Sequence, residues 1–250
     1  LATQAFERVG EIEKELSRFR PASDVAQLNR AGIGRALRVG PDAYECLRLA
    51  MDAYRLTDGA FDIAIGALRA LWAGVAEAGA DPSECEVAEA LRHCGLDKLE
   101  VNRQDNLVAK LADGLSLDLG GIGKGYAVDC MAELLAEWDV ESALLHGGES
   151  TIRGLGVRPD GADWTVALRD PSRRAKALRT LRLRGRALSG SGRAIHGRHI
   201  LDPRTGRPAE VRAAAWVAAP SAAIADALST ACMVLRSGDV QELCGRCPEI

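Results

Sequence analysis

Apolar residues recur every three to four positions in several segments of the chain, which predicts amphipathic helices. In the first segment Phe6, Val9, Ile12 and Leu16 share one face. Helices are predicted at about 1–17, 41–56, 83–93, 123–138 and 221–235. Residues 60–74 are apolar but irregular, and they fit a loop that leads into a short helix.

Other segments alternate with a period of two, which predicts strands. These lie near 98–102, 107–111, 142–146, 151–155, 164–169, 178–184 and 211–218, with a further short strand at 115–119. Because mostly antiparallel strands mix with helices, we predict an α+β fold, with a mostly antiparallel sheet core and flanking helices. We expect residues 1–250 to form a single domain that is trimmed at both ends, because the chain opens at Leu1 inside a helical pattern.

A glycine-rich turn lies between the strand at 115–119 and the next helix. Residues 118–130 read DLGGIGKGYAVDC and place Lys124 at the start of that helix. Free backbone N–H groups, the helix dipole and a lysine together make an anion site, most often for phosphate. Asp118 and Gly125 stand where a P-loop needs Gly and Ser or Thr, and Tyr126 stands where a Rossmann motif needs Gly. We therefore predict a phosphate-binding loop of another kind.

The final helix carries Asp226 and Thr230 four residues apart, so both side chains point the same way. A polar helix face in solvent is one interpretation. Most neighbours are alanine, however, which favours a buried polar site. Oxygen ligands near a phosphate would suit Mg²⁺, which takes few protein ligands.

Two further segments are candidates for chemistry. Residues 196–208 form a turn-rich loop in which His199 is a candidate general base, and a structural histidine that caps a turn fits equally well. In HGGES, residues 146–150, Gly147 and Gly148 either let backbone approach a ligand or make a tight turn. A Ser-His-Asp hydrolase is not supported, because the chain has no G-x-S-x-G elbow.

Composition narrows the classes of function. The net charge of −3 gives no argument for binding nucleic acid or an anionic membrane. No run of 18 apolar residues and no signal peptide is visible. The seven cysteines are scattered and odd in number, so they do not indicate a disulfide framework. Cys244 and Cys247 form a lone C-x-x-C, and a zinc site would need a second pair.

Six segments together resemble the ApbE family, the FAD:protein FMN transferases. They are FRPASDVAQLN (19–29), DGAFDIAIGAL (58–68), DLGGIGKGYAVD (118–129), ALLHGG (143–148), HILDPRTG (199–206) and ADALSTA (225–231). The likeness covers about residues 5–240, in the family's order and spacing. It implies an ApbE-like fold with Mg²⁺ as cofactor and FAD as substrate. FMN would pass through a phosphoester bond to a Thr or Ser hydroxyl of an acceptor protein, and AMP would be released.

The resemblance also assigns roles to single residues. It implies Asp226, Thr230 and the backbone carbonyl of Gly121 as Mg²⁺ ligands, with Asp226 counted among the catalytic residues. Contacts with FAD are implied for Phe19, Ala60, Phe61, Asp62, Asp118, Lys124 and Ile200. Phe19 would lie beside the isoalloxazine ring, and His199 would be the base for the acceptor hydroxyl.

The sequence also departs from the family pattern. Residues 189–192 read SGSG, so Gly190 stands where the family often has Thr. Glu149 follows the glycine pair where Asp, Asn or Ser is common. The family's opening strand, with its Met-Gly-Thr start, is absent from this chain, and we expect this absence to weaken FAD binding.

Three functions remain open at this point. The leading one is the Mg²⁺-dependent flavin transferase, and the second is an FAD pyrophosphatase in which water replaces the protein hydroxyl. The third is an FAD-binding protein without turnover, against which the intact Asp226, Thr230, Lys124 and His199 argue. The implied acceptor is another protein, in this family often an electron-transport subunit. The oligomeric state stays open, as does the compartment: the family is often periplasmic or membrane-anchored, and a cytoplasmic location fits the absence of a visible signal.

Overall fold

The computed structural model describes residues 1–102, 104–170, 177–193 and 200–250. The chain forms two compact units. Unit 1 comprises Leu1–Val9, Ile122–Gly197 and Glu210–Ile250, and unit 2 comprises Gly10–Gly121 and Arg198–Ala209. Each unit combines helices with antiparallel strands, which confirms the predicted α+β class. The single domain stays a prediction.

Unit 2 carries helices and a small antiparallel sheet with strand order β1-β3-β2. Helix α1 comprises Ala2–Leu16 and ends in unit 2. The predicted apolar face of this helix is only partly buried, because Ile12 and Leu16 are buried but Phe6 is exposed. The other elements of unit 2 are α2 (Asp24–Arg30), β1 (Leu37–Arg38), α3 (Pro41–Leu56), α4 (Gly66–Ala78), α5 (Glu84–Arg92), β2 (Leu99–Asn102) and β3 (Leu107–Lys110). The irregular apolar run at 60–74 thus leads into α4.

The strand that we predicted at 115–119 is wrong. Leu115 and Leu117 are fully buried, as their spacing suggested, but no other strand pairs with them among the described residues. The Asn29 side chain takes the place of a strand: its amide donates to the carbonyl of Leu117 (3.0 Å) and its oxygen accepts from the N–H of Leu117 (2.7 Å). A one-turn 3₁₀ helix, Leu119–Gly121, follows.

Unit 1 contains an antiparallel sheet with strand order β4-β5-β8-β9 and a separate two-stranded ribbon of β6 and β7. Its elements are α6 (Gly123–Glu137), β4 (Ala143–Gly147), β5 (Thr151–Leu155), β6 (Trp164–Arg169), β7 (Ala177–Leu183), β8 (Ala187–Gly192), β9 (Ala214–Ala219), α7 (Ala222–Cys232) and α8 (Ser237–Arg246). We did not predict β8, because serines and glycines replace the β-branched residues typical of a strand.

Helices and ribbon cover opposite faces of this sheet. On one face, Val128 of α6 and Ala225 of α7 join Leu145 of β4 in a buried cluster. Side chains alternate along a strand, so Arg153 points to this helix face and Gly154 points away from it. A Cβ on Gly154 would lie 3.0 Å from Trp164, the first residue of the ribbon. The sheet therefore has a helix face and a ribbon face, and these two names are kept below.

No helix in the described ranges is long and apolar enough to cross a membrane.

Candidate functional site

Asp226 lies on α7 and is only 3% exposed, so the buried alternative that the alanine-rich neighbourhood favoured is confirmed. Ser221 caps this helix by accepting a hydrogen bond from the N–H of Ile224. The alanines of α7 let α6 come very close, because a Cβ on Gly125 would lie 2.2 Å from the carbonyl oxygen of Ala222. Only glycine fits at this crossing.

Lys124 provides the positive charge opposite this buried carboxylate. Its Nζ lies 2.8 and 2.9 Å from the two carboxylate oxygens of Asp226 and also donates to the hydroxyl of Thr151 at 2.9 Å. Burial of an unpaired carboxylate is very costly, so a cation is required here. The predicted cation and the predicted carboxylate are therefore direct partners in unit 1.

Hydroxyl groups extend the site along the sheet. Ser189 donates to Asp226 at 2.9 Å and lies 2.9 Å from the hydroxyl of Thr151. The Ser191 hydroxyl lies 3.2 Å from that of Thr230, which itself donates to the backbone carbonyl of Asp226. Sequence reasoning missed Thr151, Ser189 and Ser191. The signal that could have found Ser189 and Ser191 was the SGSG segment, had it been assigned to a strand.

A second carboxylate mirrors Asp226. Asp129 of α6 accepts hydrogen bonds from the N–H groups of Ala222 and Ala223 and from the hydroxyl of Ser221, and it pairs with Arg153. Asp226 of α7 in turn accepts from the N–H of Gly125 in the first turn of α6, at 3.2 Å. Each helix thus places a carboxylate on the N-terminal N–H groups of the other, where the helix dipole favours negative charge.

The donors in unit 1 suit a hard cation. Asp226 offers a carboxylate and Thr230 a hydroxyl, and oxygen ligands of this kind are those that Mg²⁺ prefers. Among the described residues no three His, Cys, Asp or Glu side chains cluster around a common point, so few side chains would hold such an ion. A cation at Asp226 would share the carboxylate with Lys124 or displace it.

In unit 2, Asp118 lies in a basic environment. Arg69 Nε is 2.6 Å and Arg18 Nε is 3.4 Å from one of its carboxylate oxygens, and the other oxygen accepts from the N–H of Gly120. Arg18 also lies over the Phe19 ring, 4.1 Å from its centroid. Phe19 is 77% exposed, so its ring is open to a planar ligand.

The G-A-F-D segment is buried instead. Ala60 and Phe61 are both 2% exposed, and Asp62 accepts hydrogen bonds from the N–H groups of Ala64 (2.6 Å) and Leu96 (3.2 Å). Burial raises the pKa of Asp62 to about 6, against the opposing effect of these hydrogen bonds. The carboxylate of Asp62 thus accepts two backbone N–H groups, and its contact with FAD stays a prediction.

The other residues singled out in the sequence lie in different parts of the fold. Ile200 is buried in unit 2, and Gly121 ends the 3₁₀ helix that precedes α6. His199 lies outside the described residues, so its role as a base stays a prediction. Gly148 adopts a φ of +65°, a conformation that favours glycine, so the tight turn accounts for this glycine of the HGGES segment.

The comparisons with known proteins agree with one another. The sequence model of the ApbE family matches residues 1–250. The FAD:protein FMN transferase of Vibrio cholerae serotype O1 is 29% identical over 248 residues, which cover 94% of this chain and 73% of that protein. The enzyme of the same name from Salmonella typhimurium is 30% identical over 253 residues, covering 92% of this chain and 70% of that protein.

Two solved structures are similar over nearly the whole chain. The ApbE protein of Thermotoga maritima has a TM-score of 0.87 and 29% identity, covering 99% of this chain and 82% of that one. The apo form of the Pseudomonas stutzeri flavinyl transferase ApbE has a TM-score of 0.86 and 29% identity, covering 98% of this chain and 78% of that one. The predicted fold is confirmed at this level.

Proposed function

This chain belongs to the ApbE family, and we propose that it transfers FMN from FAD to a Thr or Ser hydroxyl of an acceptor protein, with release of AMP. The names of the curated relatives, FAD:protein FMN transferase, support this proposal. The observation that carries it is the buried pair of Asp226 and Lys124. Two residues that the family resemblance implies for the reaction are in direct contact in unit 1.

The transfer moves one phosphoryl group. The acceptor oxygen forms a bond to the FMN phosphorus, the bond from that phosphorus to the AMP oxygen breaks, and AMP leaves with the electron pair. The hydroxyl proton must be taken up as its oxygen attacks, and we assign this step to His199 on the sequence resemblance alone. Lys124, at the start of α6, would neutralise negative charge on the pyrophosphate, with the helix dipole adding to it.

Mg²⁺ fits the donors of unit 1. Asp226 and Thr230 would hold it, and the assignment of Gly121 as a further ligand stays a prediction. When bound, the ion would supply positive charge that stabilises the oxygens of the reacting phosphates. The chain's own contribution would be to fix the two oxygen donors one helical turn apart on α7.

The experiment follows both products by mass spectrometry. The protein is incubated with FAD and MgCl₂, with and without a candidate acceptor domain from an electron-transport subunit. A mass gain of one FMN on the acceptor, together with AMP, is the expected result. Free FMN and AMP regardless of the acceptor would identify a pyrophosphatase, and intact bound FAD would identify a binding protein.

Asp226→Ala is the decisive variant, because it removes the buried carboxylate on which the site is built. We expect it to lose most of the transfer activity, while Asp239→Ala, at an exposed helix start, keeps it. Normal transfer by Asp226→Ala would contradict the proposal. Phe19→Ala is expected to weaken FAD binding, measured by flavin fluorescence, and an unchanged affinity would contradict its assignment to the flavin ring.

A further inference from the structure

A groove of about 660 Å³ opens on the ribbon face of the unit 1 sheet. Ile152, Leu188 and Trp216 line it from the sheet, and Val166 and Leu168 line it from the ribbon. The groove lies beside the edge of strand β8, and the backbone groups at this edge indicate which kind of ligand it would bind.

Strand β8 runs past the end of β5. Pairing of the two strands ends at Thr151 and Ser189, and the last bond between them is the one from the N–H of Gly190 to the carbonyl of Ser150, at 2.8 Å. In an antiparallel strand, residues two apart direct their backbone groups to the same side. Gly192 therefore directs its N–H and carbonyl to this side, and within the described ranges no backbone group pairs with them.

This edge lies between the two faces of the sheet. The Ser191 side chain is on the helix face, with its hydroxyl 3.2 Å from that of Thr230. Gly190 and Gly192 face the groove, where they present no side chain. A short open edge thus has the proposed transfer site on one side and the groove on the other.

Trp216 explains the departure at Gly190. The two residues are cross-strand partners, and a Cβ on Gly190 would lie 2.7 Å from Trp216 Cδ1. The indole ring therefore covers the position at which the family often has a threonine side chain. Because Gly190 leaves this space free, Trp216 forms the wall of the groove next to the open edge.

We propose that the open edge of β8 binds an extended segment of the acceptor polypeptide as an added strand. Backbone hydrogen bonds at Gly192 would hold the segment, because the N–H of Gly190 already donates to Ser150. Because side chains alternate along a strand, the target Thr or Ser would point to the helix face, toward Thr230, and its neighbour opposite Gly192 would enter the groove. This inference rests on the proposed transfer reaction and names how its protein substrate is recognised.

The backbone favours a polypeptide over the nucleotide as the ligand at this edge. The N–H and carbonyl of Gly192 match the groups that an extended peptide offers and a flavin does not.

The test uses a pool of nonapeptides with a central Thr and random flanking residues. The protein modifies the pool in the presence of FAD and MgCl₂, and the peptides that gain FMN are sequenced. We expect apolar residues to be enriched at the neighbour of the Thr that lies opposite Gly192. In Trp216→Ala the groove is larger, so the preference should shift toward bulkier side chains, while the FAD dissociation constant changes less than twofold. Arg182→Ala, on the exposed outer side of the ribbon, is the matched control and should keep the wild-type preference.

A second measurement needs no protein variant. N-methylation of a preferred peptide removes one backbone N–H at a time. Pairing with Gly192 predicts at least a tenfold loss of modification at the one peptide position opposite this glycine and little effect at the two positions beside it.

Three results would overturn the inference. One is a Trp216→Ala variant with at least tenfold weaker FAD binding and an unchanged peptide preference, since the groove would then hold FAD. Another is N-methylation that has the same effect at every position. A third is the release of FMN and AMP without modification of any peptide, which leaves a reaction on FAD intact but excludes recognition of an extended segment. If FAD is not turned over at all, the proposed function fails first and this inference fails with it.

Discussion

Helices α6 and α7 each place a carboxylate on the first N–H groups of the other, and this arrangement predicts a large loss of stability for Asp129→Ala. The substitution removes the acceptor of two backbone N–H groups and of the Ser221 hydroxyl, and it leaves Arg153 without its anion. Helix α7 would then start without the group that holds it against α6. The same helix carries Asp226 one turn further on, so the loss bears directly on the site.

The magnitude follows from burial. A helix cap contributes about 1 kcal/mol, and removal of one partner of a buried ion pair costs about 3–5 kcal/mol. The side chains of Arg153 and Asp129 are 21% and 10% exposed, so water partly solvates the guanidinium that is left behind. We therefore expect a decrease of about 3 kcal/mol in the free energy of unfolding, at the lower end of that range. Asp129→Asn keeps one acceptor oxygen and should lose about 2 kcal/mol.

Urea unfolding followed by tryptophan fluorescence measures this quantity. A Trp72→Phe background leaves three tryptophans, all in unit 1, so the signal reports that unit alone. The matched control is Asp239→Ala. Asp239 accepts the N–H of Arg236 at the exposed start of α8, and its removal should cost no more than about 1 kcal/mol. If the two alanine variants lost the same free energy, or Asp129→Ala lost less than about 1 kcal/mol, the reasoning from reciprocal capping would be refuted.

Three further predictions concern the same molecule. Lys124→Met should lower the melting temperature in the absence of Mg²⁺ and lower it less at saturating Mg²⁺, because the lysine or the metal ion can each balance the buried carboxylate of Asp226. An equal decrease in melting temperature in both conditions would contradict a shared cation position. Gly125→Ala should destabilise by about 3 kcal/mol in urea, because its Cβ meets backbone at 2.2 Å, whereas Gly74→Ala, in open space on a helix, should be neutral or stabilising. The pKa of Asp62 is raised to about 6 from an ordinary 3.8, so the folded state binds this proton more tightly than the unfolded state does. The contribution of Asp62 to the free energy of unfolding is therefore complete below about pH 4, and it is lost as the pH rises through 6. The difference between wild type and Asp62→Asn should therefore change by about 2 kcal/mol between pH 4 and pH 7, and a flat difference would argue against the burial.

Local chemistry made several features predictable from sequence. Ser83 and Glu86 form the capping box that starts α5, because both partners lie within four residues of each other. The spacing of Asp226 and Thr230 indicated a shared side of one helix, and the surrounding alanines indicated burial. In each case the information lay within one or two helical turns.

Features that depend on distant partners were not predictable in this way. The segment ending at Leu117 has the alternation of a strand, but its backbone pairs with the side chain of Asn29, 88 residues earlier. The bonds of Asp129 to α7 span more than 90 residues. Strand β8 was missed because its SGSG end has low strand propensity, and its pairing with β5 and β9 decides its conformation instead.

The ion pair between Lys124 and Asp226 bears on whether the protein can fold before it binds a metal ion. Small zinc domains cannot fold before their metal arrives, because the metal is the only partner of their buried ligands. Here the chain carries its own cation to the buried carboxylate, so folding of unit 1 need not wait for an ion. Chelation should then remove activity and leave the fold intact, and adding the metal back should restore activity without a refolding step.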